Sequence, residues 1–161
     1  MLMGTATADL YDEHGETLRV MAPIFRDYGA NTMFEGEVLT LKAFEDNTLV
    51  RSTLETPGNN RVLVVDGGGS LRCAMVGDQL AELGVKNKWA GIVVYGCIRD
   101  AGPISELSIG VKAIATNPRK SVKKGAGETE LPLRFAEVEI STGDYLYADA
   151  DGVVLADRRL T

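Results

Sequence analysis

Three side chains near the middle of the chain have types and spacing that could do chemistry together: Asp78, Arg99 and Asp100. Arg99 offers a planar fork of donors that suits a carboxylate. Asp100 can ligate a hard divalent ion such as Mg²⁺, which often takes only one or two protein carboxylates and keeps several waters. Asp78 can orient or deprotonate a water, or cap a helix. Gly77, Gln79 and Leu80 surround Asp78 and add backbone N–H donors. On spacing alone a plainer arrangement stays open, in which Asp78 is an ordinary N-cap and Arg99–Asp100 an ion pair that braces a loop.

A strand-helix-strand unit must position these groups. Residues 61–66 form a β-branched run that ends in Gly67-Gly68-Gly69. Such a continuous apolar strand implies burial on both faces, as in a parallel sheet. The pattern predicts a helix from about 78 to 88, with Leu80, Leu83 and Val85 inward and Glu82, Lys86 and Lys88 outward. Residues 91–96 read as a second buried strand. In a βαβ unit the loops after both strands lie on one edge of the sheet, where ligands bind. The first loop, residues 66–78, is glycine-rich, so its N–H groups could approach an anion closely. It ends where a helix begins, which is a favourable place for a carboxylate. Twenty residues, 79–98, separate Asp78 from Arg99, the length of one helix plus one strand.

Elsewhere a helix is expected over residues 5–14, capped by Thr5 or Thr7 and ended by Gly15. Residues 37–44 alternate as a strand. Asp46 or Asn47 should then cap a short helix that carries Leu49, Val50 and Leu54. A short helical stretch near 105–107 precedes a third strand at 110–115. The last part reads as strands at 133–140, 145–147 and 153–155, with turns at Gly143-Asp144 and Asp151-Gly152. The expected fold is a single mixed α/β domain over residues 1–161, parallel in the middle and antiparallel in its C-terminal hairpins.

With 161 residues, 45% apolar and 25% charged, the chain has the balance of a soluble globular protein. Its net charge of −6 argues against nucleic acid as a direct partner. Neither a targeting segment nor an apolar run of membrane-spanning length is apparent. Cys73 and Cys97 read as free thiols, which fits the cytoplasm. Two cysteines and the lone His14 make a poor zinc set. The glycine run after residue 62 looks like a nucleotide or methyl-donor loop, but it lacks G-x-G-x-x-G spacing and no Walker lysine follows. Asp149-Ala150-Asp151-Gly152 is read as a hairpin turn rather than a calcium loop. Arg119-Lys120 with Lys123-Lys124 is a solvated basic stretch, or else a contact for an anionic partner or subunit. Cys97 is read as a small buried thiol, and His14 as an end-of-helix residue.

A family resemblance narrows these readings. Val64-Val65-Asp66-Gly67-Gly68-Gly69-Ser70-Leu71-Arg72-Cys73-Ala74, Gly77-Asp78, and Gly91-Ile92-Val93-Val94-Tyr95-Gly96-Cys97-Ile98-Arg99-Asp100 resemble the class II 4-hydroxy-4-methyl-2-oxoglutarate aldolase and regulator-of-ribonuclease-activity-A (RraA-like) family. Phe44-Glu45-Asp46-Asn47, Asn117-Pro118-Arg119-Lys120-Ser121 and Tyr147-Ala148-Asp149-Ala150-Asp151-Gly152 extend the resemblance over nearly the whole chain. It implies a swivelling β/β/α fold, assembled as a homotrimer with sites near subunit contacts. The implied reaction is retro-aldol cleavage of 4-hydroxy-4-methyl-2-oxoglutarate to two pyruvates, with oxaloacetate decarboxylation as a side activity and Mg²⁺ or Mn²⁺ as cofactor. In that reading Gly77, Asp78, Gln79 and Leu80 form the substrate-binding turn, Arg99 binds and activates the 2-oxo acid, Asp78 moves a proton and Asp100 ligates the metal. The chain lacks the C-terminal extension that in longer members can supply an acid to the neighbour's site. The family's other branch implies a protein-binding regulator of an RNA-degrading endonuclease of the ribonuclease E type. Some members of that branch lack the acid after the arginine, whereas this chain has Asp100.

Overall fold

A computed structural model describes residues 4–161. Helix α1 (Thr7–His14) and a 3-10 turn (Gly15–Thr17) lead to short strands β1 (Arg19–Val20) and β2 (Arg26–Asp27), then to the long β3 (Phe34–Lys42). Helix α2 (Thr48–Leu54) precedes β4 (Val62–Asp66) and β5 (Ala74–Val76). Helix α3 (Asp78–Lys86) precedes β6 (Gly91–Ile98), and α4 (Ala101–Ile104) precedes β7 (Gly110–Thr116). The rest is strand: β8 (Glu128–Thr129), β9 (Leu133–Phe135), β10 (Val138–Ile140), β11 (Tyr145–Asp149) and β12 (Gly152–Ala156).

The main sheet runs β1-β12-β11-β3-β4-β6-β7-β2. Strands β3, β4, β6 and β7 are mutually parallel, while β11, β12 and β1 on one side and β2 on the other are antiparallel. The expected strands at 61–66, 91–96 and 110–115 are therefore the parallel centre. Their side chains alternate between two apolar layers. Leu63, Val65, Ile92 and Val94 pack with Val50, Leu54, Leu80 and Ile104 on the helical side. Val62, Val64 and Val93 pack with Leu133, Phe135, Val138 and Ile140 on the other. This is the β/β/α layering: helices on one face, the separate β9–β10 hairpin on the opposite face. Gly91 and Gly110 open β6 and β7 at the same level. The Phe34 ring fills the space their missing side chains leave, and a Cβ on either would collide with it.

Four expectations are corrected. Residues 133–140 do not form one strand. They fold back at Ala136 (φ 51°) and Glu137 (φ 66°) into a two-residue hairpin. Both central residues sit in the left-handed region that such a turn requires, without the Gly or Asn that usually signals it. Neither Thr5 nor Thr7 caps α1 with its side chain; instead Thr7 gives its N–H and its hydroxyl to Asp149 at 2.7 Å each. The helix expected near 105–107 lies earlier, at α4, directly after Asp100. Finally, β5 was hidden inside the glycine-rich loop. It pairs with β6 at Ala74↔Cys97 and Val76↔Ile98, beyond the point where β4 ends. That extra strand brings Gly77 and the start of α3 beside Arg99.

Candidate functional site

The site begins with the backbone. The N–H of Arg99 donates to the carbonyl of Val76 at 2.9 Å, which sets the end of β6 against the end of β5. Helix α3 starts two residues later, with Gly77 in extended conformation and no side-chain cap of its own. Asp100 supplies the missing acceptor. Its backbone is left-handed (φ 59°, ψ 41°), and its Oδ2 takes the Asp78 N–H at 3.0 Å. A Cβ at position 77 would lie 2.8 Å from that oxygen and 3.5 Å from Arg99 Nε. Gly77 is thus the residue that lets an acid and an arginine crowd a helix N-terminus. The N–H groups of Gln79 and Leu80 in the first turn of α3 find no acceptor among the described residues. All of the sequence-derived site residues, Gly77, Asp78, Gln79, Leu80, Arg99 and Asp100, line one cavity of about 150 Å³. The plain N-cap role considered for Asp78 belongs to the Asp100 carboxylate instead.

The glycine run does not cradle an anion. The N–H groups of Gly67 and Gly69 both donate to the Tyr95 carbonyl, at 3.0 and 3.1 Å. The Gly68 N–H goes to Asp66 Oδ1, and the Ser70 N–H to the Gly67 carbonyl. These donors are spent on folding the loop over β6.

The rest of the cavity lining was not assembled by sequence reasoning. It consists of Asn47 and Arg51 at the start of α2 with Lys120, Ser121 and Lys123 from the loop after β7. That loop lies along β5, where the Ala74 N–H donates to the Arg119 carbonyl at 2.8 Å. Arg99 Nη1 reaches the Pro118 carbonyl at 3.4 Å. Asp46, almost wholly buried, ties the wall together. Its Oδ1 accepts from the Thr48 N–H and hydroxyl at 2.9 and 2.6 Å, and its Oδ2 from the N–H groups of Lys124 and Ala126 at 2.8 and 3.0 Å. Burial alone would raise the Asp46 pKa, but these hydrogen bonds outweigh it and hold the carboxyl well below its ordinary range. The Asn47 N–H donates to Ser121 Oγ at 3.2 Å, while Asn47 Oδ1 is buried without a partner among the described residues. The basic stretch around Lys120 and Lys123 gave a signal in the sequence. Arg51 gave none, since it looks like any exposed helix arginine.

Electrostatically the cavity is positive on an acidic chain. Arg51, Arg99, Lys120 and Lys123 face Asp78 and Asp100, while the whole chain carries −6. The Asp100 carboxylate suits a hard ion that keeps most of its waters. Among the described residues no group of three or more His, Cys, Asp or Glu converges, so an ion held here would have few protein ligands. The remaining polar candidates are structural. Cys73 and Cys97 are buried, and burial pushes both thiols up. Asp149 holds Thr7 and the Asp151 N–H, as a hairpin anchor would. No helix of the described residues is long and apolar enough to cross a membrane.

Comparison with known proteins places the whole chain. The RraA-like family model, described as Aldolase/RraA, matches residues 7–155. A relative from Alkalilimnicola ehrlichii, provisionally named 4-hydroxy-4-methyl-2-oxoglutarate aldolase, is 54% identical over 158 residues, covering 98% of each chain. Among solved structures, the RNA-processing inhibitor RraA from Thermus thermophilis superposes with a TM-score of 0.95 at 43% identity, covering 99% of this chain and 96% of that one. A Geobacillus kaustophilus structure titled S-adenosylmethionine: 2-dimethylmenaquinone methyltransferase reaches 0.93 at 47% identity, covering 97% of each chain. The layered sheet and these matches agree: the chain belongs to the RraA-like family.

Proposed function

We propose that this chain is a divalent-metal-dependent lyase that cleaves 4-hydroxy-4-methyl-2-oxoglutarate to two pyruvates and decarboxylates oxaloacetate as a side activity. The observation that carries the proposal is the convergence of Arg99, Asp100 and the open amides of Gln79 and Leu80 on one cavity. In this reading Arg99 holds the carboxylate next to the 2-oxo group through its planar fork. The amides of Gln79 and Leu80, with the positive end of α3, stabilise negative charge that grows on the 2-oxo oxygen. Asp78 takes the proton of the C4 hydroxyl, through a water, as the C3–C4 bond breaks. The electron pair of that bond passes to C3, C4 becomes the carbonyl of the first pyruvate, and protonation at C3 releases the second. In oxaloacetate the same C3–C4 bond breaks to give CO₂, and no hydroxyl proton is needed. Asp100 would hold Mg²⁺ or Mn²⁺, which when bound supplies Lewis-acid polarisation of the 2-oxo group. A homotrimer in the cytoplasm completes the reading.

The test is pyruvate release from both substrates with Mg²⁺ or Mn²⁺. Activity that persists in EDTA, or in Asp100→Ala, overturns the proposal. A methyl-donor role finds no support in the loop that would have to bind the donor, because the amides of Gly67, Gly68 and Gly69 are already paired.

A second reading is direct binding to an RNA-degrading endonuclease. It is favoured by three exposed apolar side chains, Phe44, Leu71 and Val122, at 59, 60 and 63% exposure on neighbouring loops. The Arg72 guanidinium lies over the Phe44 ring, and Val122 N–H bonds the Glu45 carbonyl. Capture of the nuclease by the purified chain tests it, and loss of capture in Phe44→Ala is the expected result.

A further inference from the structure

The segment Asn117-Pro118-Arg119, just after β7, takes no part in the reaction above. We infer that Asn117 is a positioning residue for Arg99: its side chain sets the plane of the peptide bond between Pro118 and Arg119, and that plane aims the Arg99 guanidinium. The inference rests on the reading of Arg99 as the carboxylate-binding group and adds the residue that orients it.

Three observations carry it. The first is at Arg99. Its side chain finds one acceptor among the described residues, the Pro118 carbonyl, at 3.4 Å from Nη1. A long side chain with a single acceptor points where that acceptor directs it, and its remaining N–H donors stay free for a ligand. The second is the peptide plane itself. Asn117 Oδ1 accepts the Arg119 N–H at 2.9 Å. The carbonyl of Pro118 and the N–H of Arg119 belong to one planar trans peptide and point in opposite directions. Holding that N–H on Asn117 therefore turns the carbonyl away from Asn117 and toward Arg99. Proline fixes its own φ, so the orientation of this plane is the main freedom left at residue 118. The third is the anchoring of Asn117. Its N–H donates at 3.0 Å to the carbonyl of Ile98, the residue before Arg99, and its Nδ2 donates to the Leu71 carbonyl at 2.7 Å. Only one orientation of the side-chain amide serves both Arg119 and Leu71. The asparagine is thus fixed to the same strand end that carries Arg99.

Nitrogen-labelled full chain, free of ligand, tests this by the heteronuclear NOE of arginine side chains. The Arg99 Nε–Hε signal, identified by its loss in Arg99→Lys, is expected to be ordered in the wild type. Arg61, whose guanidinium two carbonyls hold at 2.9 and 3.0 Å, is the rigid reference. In Asn117→Ala the Arg99 signal should lose about half of its NOE or more, as a side chain released on the fast timescale does, while Arg61 keeps its own. Asn117→Asp retains the acceptor for the Arg119 N–H and should restore the Arg99 signal. Asn117 is only partly buried, so both variants should fold, and a thermal melt confirms it. An Arg99 signal as ordered in Asn117→Ala as in the wild type overturns the assignment. So does an Asn117→Asp chain that behaves like Asn117→Ala, because the Leu71 contact would then hold Arg99 and the peptide plane would not. On oxaloacetate, Asn117→Ala should raise KM about tenfold and leave kcat within about threefold, the pattern of lost substrate binding. A fall in kcat at unchanged KM overturns it as well. A wild-type chain without turnover sinks the aldolase reading alone, since the Nε–Hε comparison needs no substrate.

Discussion

Asp100 Oδ2 accepts the backbone N–H of Asp78 at 3.0 Å, so one acid closes the N-terminus of α3 across a sequence separation of 22. An oxygen spent this way is not idle in binding. It fixes the direction of the second oxygen, and with it any ion that Asp100 holds. Structural and ligand roles of Asp100 should therefore separate by substitution. Asp100→Asn keeps an acceptor for the amide but loses the charge. Asp100→Ala loses both and should cost about 1 kcal/mol, as for other N-cap deletions. Urea denaturation should rank wild type and Asn together above Ala, whereas Mg²⁺ titration should show both variants impaired. Equal stability of all three would mean that the cap contributes nothing.

Gly77→Ala is expected to act mainly on the site. The new Cβ would lie 2.8 Å from Asp100 Oδ2, so the carboxylate must move. The φ at 77 is −119°, which alanine adopts freely. Stability should fall by only about 1–2 kcal/mol, roughly the loss of the cap, while metal affinity falls at least about tenfold. Unchanged metal binding would show that Asp100 is not held by this packing.

Asp46 gives a prediction with a pH sign. Its pKa in the folded chain lies below the ordinary carboxylate value. Its contribution is therefore complete above about pH 4–5 and drains away as pH falls through the folded-state value. Asp46→Asn should cost about 2 kcal/mol at pH 7, because part-buried amide donors lose a charged acceptor. The gap between wild type and variant should narrow steadily in melts at pH 5, 4 and 3. A gap independent of pH would remove the charge from the explanation.

The β9–β10 turn offers a stabilising change. Glu137 sits at φ 66°, where a residue with a Cβ pays roughly 1 kcal/mol. Glu137→Gly should raise the melting temperature by a few degrees. A lower melting temperature would show that the Glu137 side chain contributes more than the strain it carries.

Much of this was legible in the sequence, and the reasons differ by residue. The runs read at 61–66 and 91–96 are apolar on both faces, the pattern typical of strands buried at the centre of a parallel sheet, so their partnership could be read directly. The return of Arg99 to the helix start followed from length alone. The β9–β10 hairpin stayed hidden because Ala136 and Glu137 carry no turn chemistry, and alternation continues on both sides of them. Strand β5 stayed hidden because it has only three residues within a glycine-rich stretch. The rest of the cavity lining was illegible for another reason. Asn47, Arg51 and Lys123 meet through hydrogen bonds of Asp46 that span 78 and 80 positions, and no local pattern encodes such a contact.

Phe34 lies across the first residues of two neighbouring strands, in the space left by Gly91 and Gly110. None of the three positions can drift alone. A larger residue at either glycine needs the ring gone, and removing the ring leaves a void that neither glycine can fill. In a lineage of such chains these three sites should change in concert or not at all, a linked inheritance written by one aromatic ring.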